Sequence, residues 1–187
     1  RQAVLHGDGP LLVLAGVGSG KTRVITHRIA HLVRERGVPV HQVLAITFTN
    51  KAAGEMRDRI AELIGPDAKG LWASTFHSAC ARILRMEHQA AGYDRSFSIY
   101  DDADQQRIMR EILKDEGIDP KRLTPRAVLG RISAAKNELQ HPRDLTEQAM
   151  DEPDRVMARL YQRYQDRLVA NQAMDFDDLL MVTVEML

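Results

Sequence analysis

The eight residues Ala15-Gly16-Val17-Gly18-Ser19-Gly20-Lys21-Thr22 are the part of this 187-residue chain best suited to chemistry. Glycines at alternate positions let a backbone turn closely around an anion, with several N–H groups facing inward. A lysine after the last glycine can neutralise β- and γ-phosphate oxygens, and the hydroxyl of the next residue can complete a magnesium shell. The string matches the phosphate-binding loop of nucleoside triphosphatases, with alanine in place of the first glycine. Lys21 and Thr22 are therefore the expected catalytic pair, with Thr22 the expected magnesium ligand through its hydroxyl. Ala15, Gly16, Val17, Gly18, Ser19, Gly20, Lys21, Thr22 and Arg23 form the expected nucleotide-binding set.

Such a loop works only between a strand and a helix, and the flanking sequence supplies both. Residues 11–15 (LLVLA) are a short continuous apolar run, which predicts a parallel strand buried on both faces. Residues 21–36 follow with helical spacing, Val24, Ile25, Ile29, Leu32 and Val33 falling on one side, until Gly37 and Pro39 end the pattern. A second strand is expected over 43–48, a helix over 52–64 stopped by Gly65-Pro66, a third strand over 71–76 and a helix over 77–91. This alternation with short connections predicts a parallel sheet with right-handed crossovers. A dinucleotide-binding loop would want an acid at the end of the second strand; Thr47-Phe48-Thr49-Asn50 stands there, which excludes that reading. From Asp101 to Leu187 only helical periodicity is evident, broken near Gly117, Thr124-Pro125, His141-Pro142 and Glu152-Pro153, with Asp101, Thr124 and Asp175 as N-caps.

Composition narrows the class further. The chain is 44% apolar and 28% charged, which excludes wholesale disorder and collagen-like or disulfide-stapled folds. No apolar run approaches the roughly eighteen residues of a membrane span, and the N-terminus lacks a signal-peptide pattern. Cys80 is the single cysteine, so the expected compartment is a reducing cytoplasm, with no membrane association. The formal charge is zero, yet residues 1–90 carry twelve Lys/Arg against seven Asp/Glu, and residues 91–187 carry fourteen against nineteen. The first half is thus the one suited to a polyanion. Between Lys121 and Arg143, six basic residues face the single acid Glu138, a run that reads as a solvated helix face.

The string Thr47-Phe48-Thr49-Asn50-Lys51-Ala52-Ala53-Gly54-Glu55-Met56-Arg57, taken with the phosphate loop, resembles the UvrD/PcrA/Rep group of superfamily 1 DNA helicases, actinobacterial members in particular. Ser74-Thr75-Phe76-His77-Ser78, Phe97-Ser98-Ile99-Tyr100-Asp101, Lys136-Asn137-Glu138-Leu139 and Met174-Asp175-Phe176-Asp177-Asp178-Leu179 carry the resemblance along the rest of the chain. It implies ATP-driven 3′ to 5′ translocation on single-stranded DNA and unwinding of duplex in repair or replication, with ATP and Mg2+ as cofactors. The implied partners are single-stranded DNA, single-strand/duplex junctions and repair proteins, and the implied state is a monomer or weak dimer. The implied fold is α/β: a RecA-like P-loop parallel sheet with helices on both faces, plus an inserted all-helical subdomain. On this reading residues 1–90 are the first RecA-like core, 91–173 the insertion and 174–187 the return into the core, truncated before the Walker B motif. Two alternatives remain: a helicase–nuclease subunit of the RecB or AddA type, and a P-loop module that binds nucleic acid without hydrolysis.

The resemblance also implies site roles. Phe48, at the exit of a strand, would stack a base; Thr49 and Asn50 would touch sugar or phosphate; His77 would meet a phosphate; Phe176 resembles the family's second base-pocket aromatic. Each has a plainer alternative: Phe48 in the core, His77 as a cap or a buried histidine, Phe176 packed inward. Trp72 and Met86 read as core, and Cys80 as a buried small hydrophobe. Asp175, Asp177 and Asp178 do not read as Walker B acids, because no apolar strand precedes them; Asp175 as N-cap is the simpler assignment. The family's adenine-reading glutamine would fall before residue 1, and Gln2 does not replace it. The acidic magnesium-binding motif and the second RecA-like domain would follow Leu187. The chain is therefore expected to be the N-terminal part of a longer helicase, and by itself to lack ATPase activity.

Overall fold

In the computed structural model, which describes residues 1–16 and 18–187, the chain is mixed α/β, mostly helical, with two small parallel sheets. It divides into two compact units, Arg1–Ala79 and Cys80–Leu187.

The first unit is organised by one βαβ crossover. Strand β1 (Leu44–Thr47) passes through helix α3 (Asn50–Ile64) to strand β2 (Trp72–Thr75), and the strands pair in parallel with Leu44 opposite Trp72 and Thr47 opposite Thr75. Thr49 starts α3 because its hydroxyl oxygen accepts from the Ala52 N–H at 3.1 Å, and Gly65 stops it at a positive φ of 62°. The helical spacing of Ala53, Met56, Ile60 and Ile64 buries one face of α3. That face packs with Ala45, Ala73 and Ile29 into a core. Ile29 comes from helix α2 (Lys21–Arg34). Arg57 of α3 also donates to the Ala73 carbonyl at 2.8 Å, tying helix to strand through hydrogen bonding as well as packing. A short helix α1 (Gln2–Leu5) precedes these elements, and Arg28 of α2 donates to the carbonyls of Ala3, Val4, His6 and Gly7 around its C-terminal end.

One expected element is corrected. Residues 11–15 are not a strand, and among the described residues they join no ladder. Leu12 and Leu14 are 82% and 87% exposed, while Leu11 and Val13 line a cavity against Val24 and Ile25 of α2. The side chains keep the two-residue alternation of extended backbone, but a strand is defined by its hydrogen-bonded neighbour, and an apolar run does not specify one. The other two strands lie within their expected spans.

The second unit is helical except for one bridge. Helix α4 (Phe76–Met86) begins in the first unit and ends in the second, and α5 (His88–Ala91) follows after a break, where a single helix was expected. Strand β3 (Ser98–Ile99) pairs in parallel with β4 (Ala173–Met174), which corrects the purely helical reading of this half. Between them lie α6 (Asp102–Asp115), α7 (Pro125–Asn137), α8 (Pro142–Gln148) and α9 (Glu152–Ala170), and α10 (Phe176–Met186) ends the chain. Asp101, Thr124 and Asp175 cap α6, α7 and α10 as expected, their side-chain oxygens accepting N–H groups of the first turn. The apolar faces of α6, α7 and α9 close around Met109, Ile112, Ile132, Leu160 and Tyr164. On the outer side, Glu116 accepts from Arg159 at 2.9 Å and Arg163 at 2.7 Å, which fastens the end of α6 to α9.

Four smaller expectations are also corrected. Met86 is 51% exposed at the end of α4 rather than core, and Trp72 and Cys80 are half-buried. The basic run from Lys121 to Arg143 is solvated at Lys121, Arg122, Arg126, Arg131 and Arg143, but Lys136 is buried. Helical spacing places that lysine on the packed face of α7, beside Ile132 and Ala135.

Candidate functional site

The phosphate-loop residues sit at the start of α2. Gly18 and Gly20 have φ of 78° and 84°, a region that side chains with a Cβ resist, so the turn depends on these glycines. The Ser19 hydroxyl donates to the Gly16 carbonyl at 2.6 Å and shapes the loop from within. Gly20 is the N-cap of α2, and among the described residues no side chain caps that end and no acid stands in the first turn. The positive end of the helix dipole and its leading N–H groups are thus left to an anion. Lys21 is exposed and directs its ammonium back over the loop, donating to the carbonyls of Ala15 at 3.0 Å and Gly16 at 2.7 Å. Phosphate oxygens, carrying full negative charge, compete well with neutral carbonyls for those protons. Thr22 is half-buried and Arg23 exposed on the same turn. Val17 lies outside the described residues. This donor set of backbone N–H groups, an ammonium and a hydroxyl fits a triphosphate. A hard cation such as Mg2+ is suited to the Thr22 oxygen.

The strand ends of the same unit hold a second cluster. Because Thr47 pairs with Thr75, the chain leaves β1 and β2 at the same level, and the next residue on each is a phenylalanine. Phe48 is 91% exposed, and its ring lies 5.9 Å from that of Phe76, tilted by 46°. A ring this open contributes little to a core, so the core reading of Phe48 does not hold. Thr49 is occupied as the N-cap of α3, and Asn50 is exposed in the first turn of that helix. His77 is half-buried in the first turn of α4. The structure therefore brings Phe48, Thr49 and Asn50 together at one strand exit. Phe76 was missed as their companion. It read as the last residue of a strand, although strand pairing places it beside Phe48.

In the second unit, Phe176 opens α10 and is 43% exposed, so it is not packed inward. It lines a cleft of about 590 Å³ between α6 and α7, with Gln105 and Gln106 on one wall and Arg126 and Ser133 on the other. The residues on either side of this ring behave differently. Asp175 and Asp178, each 2% exposed, form a capping box in which each carboxylate accepts the other's backbone N–H, at 2.8 and 3.2 Å. Both carboxylates also pair with the Lys136 ammonium at 2.7 Å. Tyr164 donates to Asp175 at 3.0 Å and Gln165 to Asp178 at 3.1 Å. Burial pushes the Asp178 carboxyl up to about 6; Lys136 pulls it down by less, and Asp175 adds to the rise. The Tyr164 phenol is likewise raised, first by burial and then by Asp175. The N-cap role of Asp175 was legible in the sequence; the lysine that closes the network was not.

The whole chain, residues 1–187, matches the family described as the UvrD/REP helicase N-terminal domain. It is 50% identical over 186 residues to the ATP-dependent DNA helicase PcrA of Bacillus subtilis, covering 100% of this chain and 25% of that protein. It is 49% identical over 185 residues to the proteins of the same name from Staphylococcus aureus and Staphylococcus epidermidis, covering 99% of this chain and 25% of each. The chain spans about a quarter of the length of the curated relatives it matches. No helix among the described residues is long and apolar enough to cross a membrane.

Proposed function

Since the chain belongs to the UvrD/REP helicase N-terminal domain family, we propose that it is the nucleotide-gripping and part of the DNA-gripping portion of an ATP-dependent 3′ to 5′ DNA helicase acting in the cytoplasm. The carrying observation is the α2 start: a helix end that no side chain among the described residues caps, with no acid in its first turn, and Lys21 folded over the loop. In this reading the backbone of Gly16 to Gly20 cradles the phosphates, Lys21 neutralises the β- and γ-oxygens, and Arg23 flanks the nucleotide. Thr22 holds the magnesium ion, which supplies charge neutralisation at the phosphates when bound. Residues 1–90 are assigned to a RecA-like core, 91–173 to an inserted helical subdomain and 174–187 to the return into the core. The β1–α3–β2 crossover and an apolar run leading directly into the phosphate loop support that assignment.

The DNA-facing residues in this reading are Phe48, Thr49, Asn50 and His77 in the first unit and Phe176 in the second. An open aromatic at a strand exit stacks on any base, which suits a motor that must move along single-stranded DNA irrespective of sequence. Single-strand/duplex junctions are the proposed substrate. The 187-residue chain by itself is expected to be silent as an ATPase. Thr22 alone does not position an attacking water.

The test is Lys21→Ala in the full-length protein. DNA-stimulated ATP hydrolysis should fall by about a hundredfold or more while the melting temperature is unchanged. Near-normal turnover in the folded variant would remove the nucleotide assignment.

A further inference from the structure

Phe176 is the first residue of α10, and the carboxylates one position before it and two after it meet on the same buried ammonium. A capping box needs no third partner, since Asp175 and Asp178 already satisfy each other's backbone N–H groups. Most caps stay hydrated. Here a lysine with a fully buried side chain is brought to them from α7, 39 positions earlier in the chain. Desolvating such a group offsets most of the attraction, so a buried ion pair is a poor way to gain stability and is better at fixing one arrangement of the elements it joins.

The arrangement it fixes can be read from its surroundings. The four carboxylate oxygens are all engaged: Asp175 Oδ1 by the Asp178 N–H and Oδ2 by Lys136 and Tyr164; Asp178 Oδ1 by Lys136 and Gln165 and Oδ2 by the Asp175 N–H. The ammonium lies 5.3 Å from the centroid of the Tyr164 ring and 5.9 Å from that of Tyr161, so it is oriented from the α9 side as well. Sliding or rotating the first turn of α10 would break several of these contacts at once. Lys136 also belongs to the helix whose earlier turns, at Arg126, Gly130 and Ser133, form one wall of the cleft that Phe176 lines. One ammonium thus joins the helix that carries the ring to the helix that forms the wall it faces.

We propose that Lys136 is a positioning residue for Phe176: through Asp175 and Asp178 it locks the first turn of α10 against α7 and holds the ring at the cleft in the orientation that stacks a DNA base. This rests on the reading that Phe176 meets DNA.

The experiment uses the full-length protein and single-stranded oligonucleotides in which one 2-aminopurine is moved along the sequence. The fluorescence change lost in Phe176→Ala defines the Phe176-dependent signal. Lys136→Met, at a temperature where its melt shows it folded, should lose most of that signal and bind about tenfold more weakly. The Lys136→Met/Phe176→Ala double variant should bind no more weakly than Phe176→Ala alone, and Lys136→Arg should recover most of the signal. A lysine that only stabilises the fold would lower the melting temperature while leaving the Phe176-dependent signal intact in the folded protein. That result, or independent additive losses in the double variant, overturns the proposal. Should Lys136→Met not fold, Asp178→Asn, which keeps the Lys136–Asp175 pair, is read by the same signal: a partial loss is expected and an unchanged signal overturns the proposal. If Phe176→Ala changes the fluorescence at no probe position, the base-stacking reading itself fails and the proposal fails with it. A failure confined to the Lys136 variants leaves that reading standing.

Discussion

Lys21 and Lys136 each close a small polar cluster at a helix end, and almost everything else about them differs. Lys21 is exposed, its partners are two neutral carbonyls of its own loop, and both lie within six positions of it. Lys136 is buried, its partners are two carboxylates, and they lie on another helix. The first lysine can exchange its partners for an anionic ligand at little cost, because water already competes for them. The second cannot release its partners without leaving charge buried in the fold. The phenylalanines follow the same division. Phe48 stands free of its strand on a turn made by local hydrogen bonds, whereas Phe176 is flanked by a network that reaches into the core of its unit. Lys21 and Phe48 are held by contacts a few positions away, whereas Lys136 and the turn that carries Phe176 are held by contacts far along the chain.

The contrast is sharpest for stability. Lys136→Ala should destabilise the second unit by about 3–5 kcal/mol, because it strands two buried carboxylates. Lys21→Ala should leave denaturant unfolding unchanged within about 0.5 kcal/mol. Equal losses in the two variants would erase the distinction. A somewhat smaller effect is expected at Phe48. Phe48→Ala should weaken single-strand binding by about 1–3 kcal/mol, to a similar degree for all sequences. Its cost in folding stability should be small, since the ring is 91% exposed. Anisotropy with labelled oligonucleotides must be run at fixed salt, because any lysine or arginine that meets a phosphate would add a contribution that varies with ionic strength. A large stability loss with unchanged affinity would return Phe48 to the core.

A further test concerns pH. Burial raises the Asp178 carboxyl to about 6, above the ordinary 3.8, so between those two pH values the folded protein holds more of a proton there than the unfolded chain does. Its contribution to stability is full below about pH 4 and is lost as pH rises to about 6. The stability of the parent protein relative to Asp178→Asn should therefore decline across that window, as measured by urea unfolding at several pH values. A constant difference would show that Lys136 keeps Asp178 ionised throughout.

What the sequence made legible follows the same line between local and distant. The helix start at Lys21, the caps at Asp101, Thr124 and Asp175 and the breaks at prolines depend on residues within a few positions of one another, and all are found where the pattern placed them. Phe48 was placed at a strand exit, but its pairing with Phe76 depends on the register of β1 against β2, which no local pattern encodes. Lys136 looked like one more charge in a basic run, because helical periodicity shows which face is packed and not which distant carboxylates lie there. The run at 11–15 failed for a related reason: continuous apolar residues predict burial between neighbours, and the neighbours are not written in the run itself.

The two-residue β3–β4 bridge has a consequence for how the second unit assembles. The Ser98 N–H donates to the Gln172 carbonyl at 2.9 Å, and the Gln172 side chain accepts from the Asp94 N–H across 78 positions. These hydrogen bonds alone do not repay the loop-closure entropy of joining segments that far apart; the burial of Phe97, Ala173 and Met174 must add to them. The intervening α6, α7 and α9 must therefore collapse first and deliver the two segments to each other. The bridge is then expected to form late on the folding route. In native-state hydrogen exchange, the Ser98 and Tyr100 amides would report this final docking step, opening by sub-global fluctuations while the amides of α9 await full unfolding.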